Sequence, residues 1–156
     1  MKFQILSVSK IKLPFVLDGE QHYLKRLKPH CKLRFEELGA DFSSFSRKEA
    51  LEKEAELISK RVNFDSQCLI SLDERGKTLG SEEFAKWIEG KRAESDKEFC
   101  FVIGGAYGMA ESLKSKSSLC LSLSKFTFPY QLSRLILVEQ LYRAMCIIKG
   151  FPYHKA

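Results

Sequence analysis

No apolar run in these 156 residues approaches the length of a membrane-spanning helix. The N-terminus also lacks a charged segment followed by a long apolar stretch. Residues 3–8 are apolar but too few for a leader and read as a strand, so a cytoplasmic protein is expected. No two of the five cysteines, Cys31, Cys68, Cys100, Cys120 and Cys146, stand at a metal-ligand spacing such as C-x-x-C, and their number is odd. Three of them fall inside apolar strand patterns. They read as small buried hydrophobes in a reducing compartment, with neither disulfides nor a metal expected. The dinucleotide fingerprint G-x-G-x-x-G is not matched and no P-loop is present. No Ser-His-Asp or Cys-His arrangement is legible, and His22 and His30 have no recognisable partners. There is no internal repeat, low-complexity segment or linker.

What is present is the composition of an ordinary globular protein: 44% apolar and 29% charged residues, enough chain to bury a core as one domain spanning 1–156. Lysine and arginine number 26 against 20 acidic residues, for a net charge of +6. The balance favours a polyanionic partner, although mild clusters such as Lys25, Arg26 and Lys28 also suit solvated helix faces.

Hydrophobic periodicity alternates between strand and helix along the chain. Residues 3–8 form an apolar strand. Residues 15–27 follow as an amphipathic helix with Phe15, Val16, Tyr23, Leu24 and Leu27 on one face, stopped by Pro29. Residues 32–38 alternate apolar and charged, as in a half-wet strand. Ser46 and Glu49 carry a capping-box pattern ahead of a helix whose stripe is Leu51, Ala55, Ile58 and Val62. A third strand, 67–72, ends at Asp73-Glu74-Arg75-Gly76. Ser81 caps a helix burying Phe84, Trp87 and Ile88. A strand to Ile103, a glycine turn, a short helix near 110–116, a strand over 119–123 and a long helix over 132–148 complete the series. The pattern predicts an α/β fold with a mostly parallel sheet flanked by helices.

Chemistry concentrates in the last third. The strand ending at Ile103 runs into Gly104-Gly105-Ala106-Tyr107-Gly108, and glycines where strands end let a ligand approach bare backbone. In Leu123-Ser124-Lys125-Phe126-Thr127-Phe128-Pro129-Tyr130, the residues Leu123, Phe126 and Phe128 can wall an apolar slot. Backbone groups and the Ser124 and Thr127 hydroxyls can meet an adenine edge or a ribose. The competing account is a core-facing loop whose aromatics simply pack. On the last helix Leu135, Val138, Leu141, Tyr142 and Met145 make an ordinary core or dimer stripe. Glu139 and Arg143, four apart, suit a salt bridge, and Arg134 or Arg143 near a site suits a phosphate.

At these residues the chain resembles the small SPOUT-class methyltransferases that modify N3 of a pseudouridine in large-subunit ribosomal RNA. The resemblance runs from Met1-Lys2-Phe3 to Tyr153-His154-Lys155. It is carried by Ile103-Gly104-Gly105-x-x-Gly108, Leu121-Ser122-Leu123-Ser124, Arg134-x-x-Leu137-x-Glu139-Gln140-x-Tyr142-Arg143-Ala144 and Pro152-Tyr153-His154. It implies a SPOUT fold with a C-terminal trefoil knot, a topology that periodicity alone never suggests. It also implies S-adenosylmethionine as cofactor, bound by Leu72, Gly104, Leu123, Ser124, Lys125, Phe126, Thr127 and Phe128. A homodimer would share its RNA site between subunits, with the large ribosomal subunit or the 70S ribosome as partner. His154 or Arg143 would support loss of the imide proton, and Tyr153 would orient the target base. Tyr130 stands where relatives often have histidine, Lys155 where many have arginine, and Ala106-Tyr107 in a variable part of the glycine turn. The alternatives are a SPOUT enzyme acting on transfer RNA or another ribosomal base, and a non-catalytic RNA-binding assembly factor on the same fold.

Overall fold

The computed structural model describes residues 1–154; Lys155, where a departure from the family pattern was noted, lies outside them. Five strands, β1 (Lys2–Ser7), β2 (Lys32–Glu37), β3 (Gln67–Thr78), β4 (Glu98–Ile103) and β5 (Leu119–Ser122), form one sheet of order β2-β1-β4-β3-β5. Every pairing is parallel, as strands joined by helical crossovers must be. The helices are α1 (Pro14–Leu27), α2 (Arg47–Ser59), α3 (Ser81–Glu94), α4 (Glu111–Lys114) and α5 (Tyr130–Lys149).

Alternate side chains of each strand point to opposite faces, and both faces are covered. Phe3, Ile5, Ile70 and Phe101 meet Leu27 of α1, Phe84 and Ile88 of α3, and Leu137, Val138 and Leu141 of α5. Leu6, Leu69, Cys100 and Val102 meet Ala55 and Ile58 of α2 and Leu113 of α4. Double-sided burial explains the unbroken apolar run of β4. Each fully buried side chain of this size contributes about 1.5–3 kcal/mol. The Cys100 thiol lies in this dry layer, and burial pushes its pKa up to about 12, so it stays protonated.

Local signals and structure agree where the signal is a short-range bond. Ser46 Oγ accepts from the Glu49 N–H, and Glu49 Oε2 accepts from the Ser46 N–H at 3.0 Å, closing the capping box. Elsewhere tertiary contacts moved the expected elements. Phe15 is 57% exposed instead of packing with Val16 and Leu27; Glu20 takes a buried place on α1 because Arg134 reaches it. The helix expected to be capped by Ser81 is capped one residue earlier, where the Gly80 N–H donates to Glu83 Oε2 at 2.7 Å; Ser81 Oγ instead donates to Gln140 on α5. The last helix begins at Tyr130 directly after Pro129, earlier than periodicity placed it.

The largest departure is β3. It does not end at Leu72 but slips register between Leu72 and Lys77, then rejoins β5 through Lys77 and Thr78. The slipped segment crosses β5 closely. A Cβ on Gly76 would lie 2.5 Å from the Cys120 carbonyl oxygen, so only glycine passes there.

Candidate active site

An open cavity of about 1020 Å³ lies at the carboxyl ends of β1, β3, β4 and β5, where open parallel sheets bind ligands. Its size is at the upper end of small-molecule pockets. Leu72, Gly104, Leu123, Ser124, Phe126, Thr127 and Phe128 all border it. Lys125 does not, so the charged member of that stretch is set aside from the cavity wall. Phe126 is 80% exposed and stands at the mouth, not in an enclosed slot.

Two backbone turns shape the cavity. Gly104 through Gly108 folds back on itself: the Gly108 N–H donates to the Gly105 carbonyl at 3.1 Å, and Gly108 has φ of 83°. A side chain at Gly104 would run into the Gly108 carbonyl. The 123–128 segment is pinned by its own hydroxyls. Ser124 Oγ accepts from the Phe126 N–H at 3.0 Å, and Thr127 Oγ1 donates to Glu74 Oε2 at 2.5 Å. Ser122 Oγ sits between the carbonyls of Ser124 and Glu74, at 2.8 and 3.0 Å. The Ser124 and Thr127 hydroxyls expected to meet a nucleoside thus each make one bond within the protein; Ser124 Oγ keeps a proton to donate and Thr127 Oγ1 keeps acceptor capacity.

Three charged side chains of the cavity compensate one another. Lys114 bonds Asp73 at 2.8 Å and Glu111 at 2.6 Å. Burial pushes the Asp73 carboxyl up, but Lys114 and the Arg75 N–H outweigh it, and its pKa ends below the ordinary value. Glu54 of α2 differs. It is buried, and among the described residues its Oε2 accepts only the Gly105 N–H, at 3.0 Å. Desolvation raises its pKa against that bond.

Arg143, Tyr153 and His154 come together, but elsewhere. Arg143 is bonded to Glu139 at 2.5 Å, so the local salt bridge forms. Its guanidinium also lies 4.8 Å over the Tyr153 ring, and Tyr153 Oη donates to Glu139 at 3.1 Å. Arg143 has only donors, so His154 Nδ1 accepts from it at 3.3 Å. The ring proton then sits on Nε2, facing Glu82 at 3.8 Å. Burial first, then hydrogen bonding to Tyr23 and Glu139, raises the Tyr153 pKa and keeps its hydroxyl protonated. None of the three borders the cavity, whose α5 lining stops at Ser133. At 1.5 Å per residue, Arg143 lies roughly 20 Å along α5 from Tyr130.

Arg134 is not a surface phosphate contact. It is 3% exposed, bonds Glu20 through two nitrogens at 2.6 and 2.7 Å and Glu37 at 2.5 Å, and stacks 4.3 Å over Phe35. Sequence reasoning missed Glu54. The available signal was a carboxylate four residues from both Ala50 and Ile58, on the buried stripe of its helix.

The parallel sheet and its carboxyl-edge cavity with a bare glycine turn define an α/β ligand-binding enzyme fold. The family model described as predicted SPOUT methyltransferase matches residues 1–154. The chain belongs to the SPOUT methyltransferase family. It is 43% identical over 160 residues to a Finegoldia magna protein and 40% identical over 154 residues to one from Dictyoglomus thermophilum, covering 99% of this chain and at least 99% of each relative. Both are named Ribosomal RNA large subunit methyltransferase H. Among solved structures, a candidate RNA methyltransferase from Bacillus anthracis superposes with a TM-score of 0.52 at 13% identity, over 100% of this chain and 99% of that one. A methylase-family protein from Haemophilus influenzae Rd KW20 gives 0.51 at 15% identity, over 99% and 70%. At such identities these two report the fold alone.

Proposed function

We propose that this chain transfers the methyl group of S-adenosylmethionine to N3 of a pseudouridine in large-subunit ribosomal RNA, acting as a cytoplasmic homodimer. The observation that carries the reading is the convergence of Leu72, Gly104, Leu123, Ser124, Phe126, Thr127 and Phe128 on one cavity, in a chain matched end to end by ribosomal RNA methyltransferases. The residues suit that donor. Leu72, Leu121, Leu123 and Phe128 supply apolar wall, and the 123–128 backbone supplies polar edges for an adenine. The Gly104 turn has no room for a side chain and so brings bare backbone to the ligand. The close crossing of residues 73–77 over β5 supports a C-terminal trefoil knot as part of the same reading.

When bound, S-adenosylmethionine supplies a methyl already activated on a sulfonium. The protein's work is then alignment of the nucleophilic nitrogen and support for the anion left as its proton departs. Arg143 and the Nε2–H of His154 are donors in the geometry described, so they suit stabilising a developing negative charge on the base carbonyls. Tyr153, held over Arg143, suits stacking. Because this cluster lies away from its own cavity, the reading places it over the partner subunit's cavity. Apolar Leu13, Phe15 and Leu17, exposed at the start of α1 beside Tyr130 and Gln131, support such pairing.

The test is methyl transfer from labelled S-adenosylmethionine to ribosomal particles lacking the modification, with the product nucleotide identified by mass spectrometry. Methylation of a large-subunit pseudouridine at N3 is the expected result. Label on transfer RNA, on another ribosomal base, or nowhere refutes the assignment. Mixed dimers combining a His154→Ala subunit with a Gly104→Ala subunit should retain activity in one of two cavities if the sites are shared; complete inactivity overturns the sharing.

A further inference from the structure

We propose that Glu54 is the counter-charge for the cationic, methionine-derived end of the methyl donor. The inference rests on the donor reading above and adds a residue to it. Glu54 is 6% exposed, borders the cavity, and its carboxylate lies flat against Gly105, where no Cβ fits between them. Its Oε2 accepts the Gly105 N–H at 3.0 Å. Among the described residues no lysine, arginine or histidine pairs with it.

The other carboxylates at the cavity are accounted for within the protein. Asp73 and Glu111 share Lys114, Glu74 accepts from Thr127, and Asp41 accepts the Ser43 N–H. Among the described residues that line the cavity, Glu54 alone is a buried carboxylate without a cation. A buried carboxylate with one neutral hydrogen bond is costly to keep ionised, and burial already raises its pKa. A positively charged ligand group in the cavity reverses that balance, because attraction in a desolvated pocket is stronger than in water. The donor brings two such groups on its methionine side, a sulfonium and an ammonium, against one carboxylate, so that end carries a net positive charge. Its adenosine side brings none. Glu54 therefore acts on one end of the ligand and is indifferent to the other. Its place on Gly105 also fixes which part of the cavity that end occupies: the glycine-turn side, between β4 and α2.

The experiment is calorimetry on purified full-length wild type, E54Q and E54A with two probes, S-adenosylmethionine and methylthioadenosine. The second shares the adenosine, the sulfur and its methyl, but its sulfur is a neutral thioether and it has no amino-acid end, so it has neither cation. Glutamine keeps an acceptor for the Gly105 N–H and removes only the charge; alanine removes both. The expected result is a roughly 10- to 100-fold loss of S-adenosylmethionine affinity in both variants, with methylthioadenosine binding within about twofold of wild type. Equal loss for both probes, or loss in E54A alone, overturns the proposal and makes Glu54 a support for the turn. E54Q that binds the donor normally but transfers methyl slowly also overturns it and points to a proton acceptor. Wild type that binds neither probe refutes the donor reading itself, which is a different failure. Thermal melts and far-UV dichroism of each variant establish that the comparison is between folded proteins.

Discussion

Replacing Arg134 by alanine removes the cation from an internal cluster that ties α5 to α1 and β2. The Arg134 side chain is 4% exposed, Glu20 3% and Glu37 28%. In the variant Glu37 can hydrate, but Glu20 stays buried with its charge and no partner. Breaking a buried pair from one side costs about 3–5 kcal/mol, most of it the penalty on the charge left behind. For a domain of this length that lowers Tm by roughly 6–20 °C. Urea denaturation and a thermal melt measure it directly. The double variant R134L/E20L leaves no uncompensated buried charge and should recover a large part of the loss, which separates electrostatics from lost packing. The salt dependence of ribosomal RNA binding, measured on folded R134A below its melting range, should keep its wild-type slope, because this arginine makes its bonds inside the subunit. A stability change under about 1 kcal/mol, or a double variant no better than R134A, refutes the reasoning.

Gly104→Ala places a methyl on the Gly108 carbonyl and must open the turn. Calorimetry should show donor binding lost, and the melt a stability loss of about 1–3 kcal/mol; unchanged donor affinity would mean the turn does not meet the ligand. Glu139→Gln weakens the hold on both Arg143 and Tyr153. It should slow methyl transfer by an order of magnitude or more while leaving donor affinity unchanged, since the cluster is assigned to the target base and not to the donor; a parallel fall in donor affinity would contradict that assignment. Burial holds the Glu54 carboxyl above its unfolded value, so the ligand-free protein loses stability as pH rises from the ordinary carboxylate range through the folded pKa. E54Q has no such group. Its stability should equal wild type at acidic pH, where Glu54 is protonated in both states, and exceed it increasingly as pH rises; urea titrations at several pH values read the difference, and a gap independent of pH counts against a raised carboxyl.

Short-range features were legible in the chain. The Ser46–Glu49 capping box, the Glu139–Arg143 bridge, the alternation of strand and helix, and the glycine turn after β4 depend on residues a few positions apart. Backbone sterics and neighbouring side chains decide them wherever the segment ends up. The cavity-lining stretch 123–128 was legible because its composition is odd for a plain connection, but the jobs of its hydroxyls were not: Thr127 is claimed by Glu74, and that partner comes from another strand. Arg134 looked like a phosphate contact until Glu20, 114 positions away, took its guanidinium. The strand order, the slip of β3 across β5, the burial of Glu54 against Gly105 and the distance of the Arg143–Tyr153–His154 cluster from the cavity were likewise settled only by the tertiary structure. Each depends on which distant segments meet, and the free energy of such meetings lies in shared burial and charge pairing that no local pattern records.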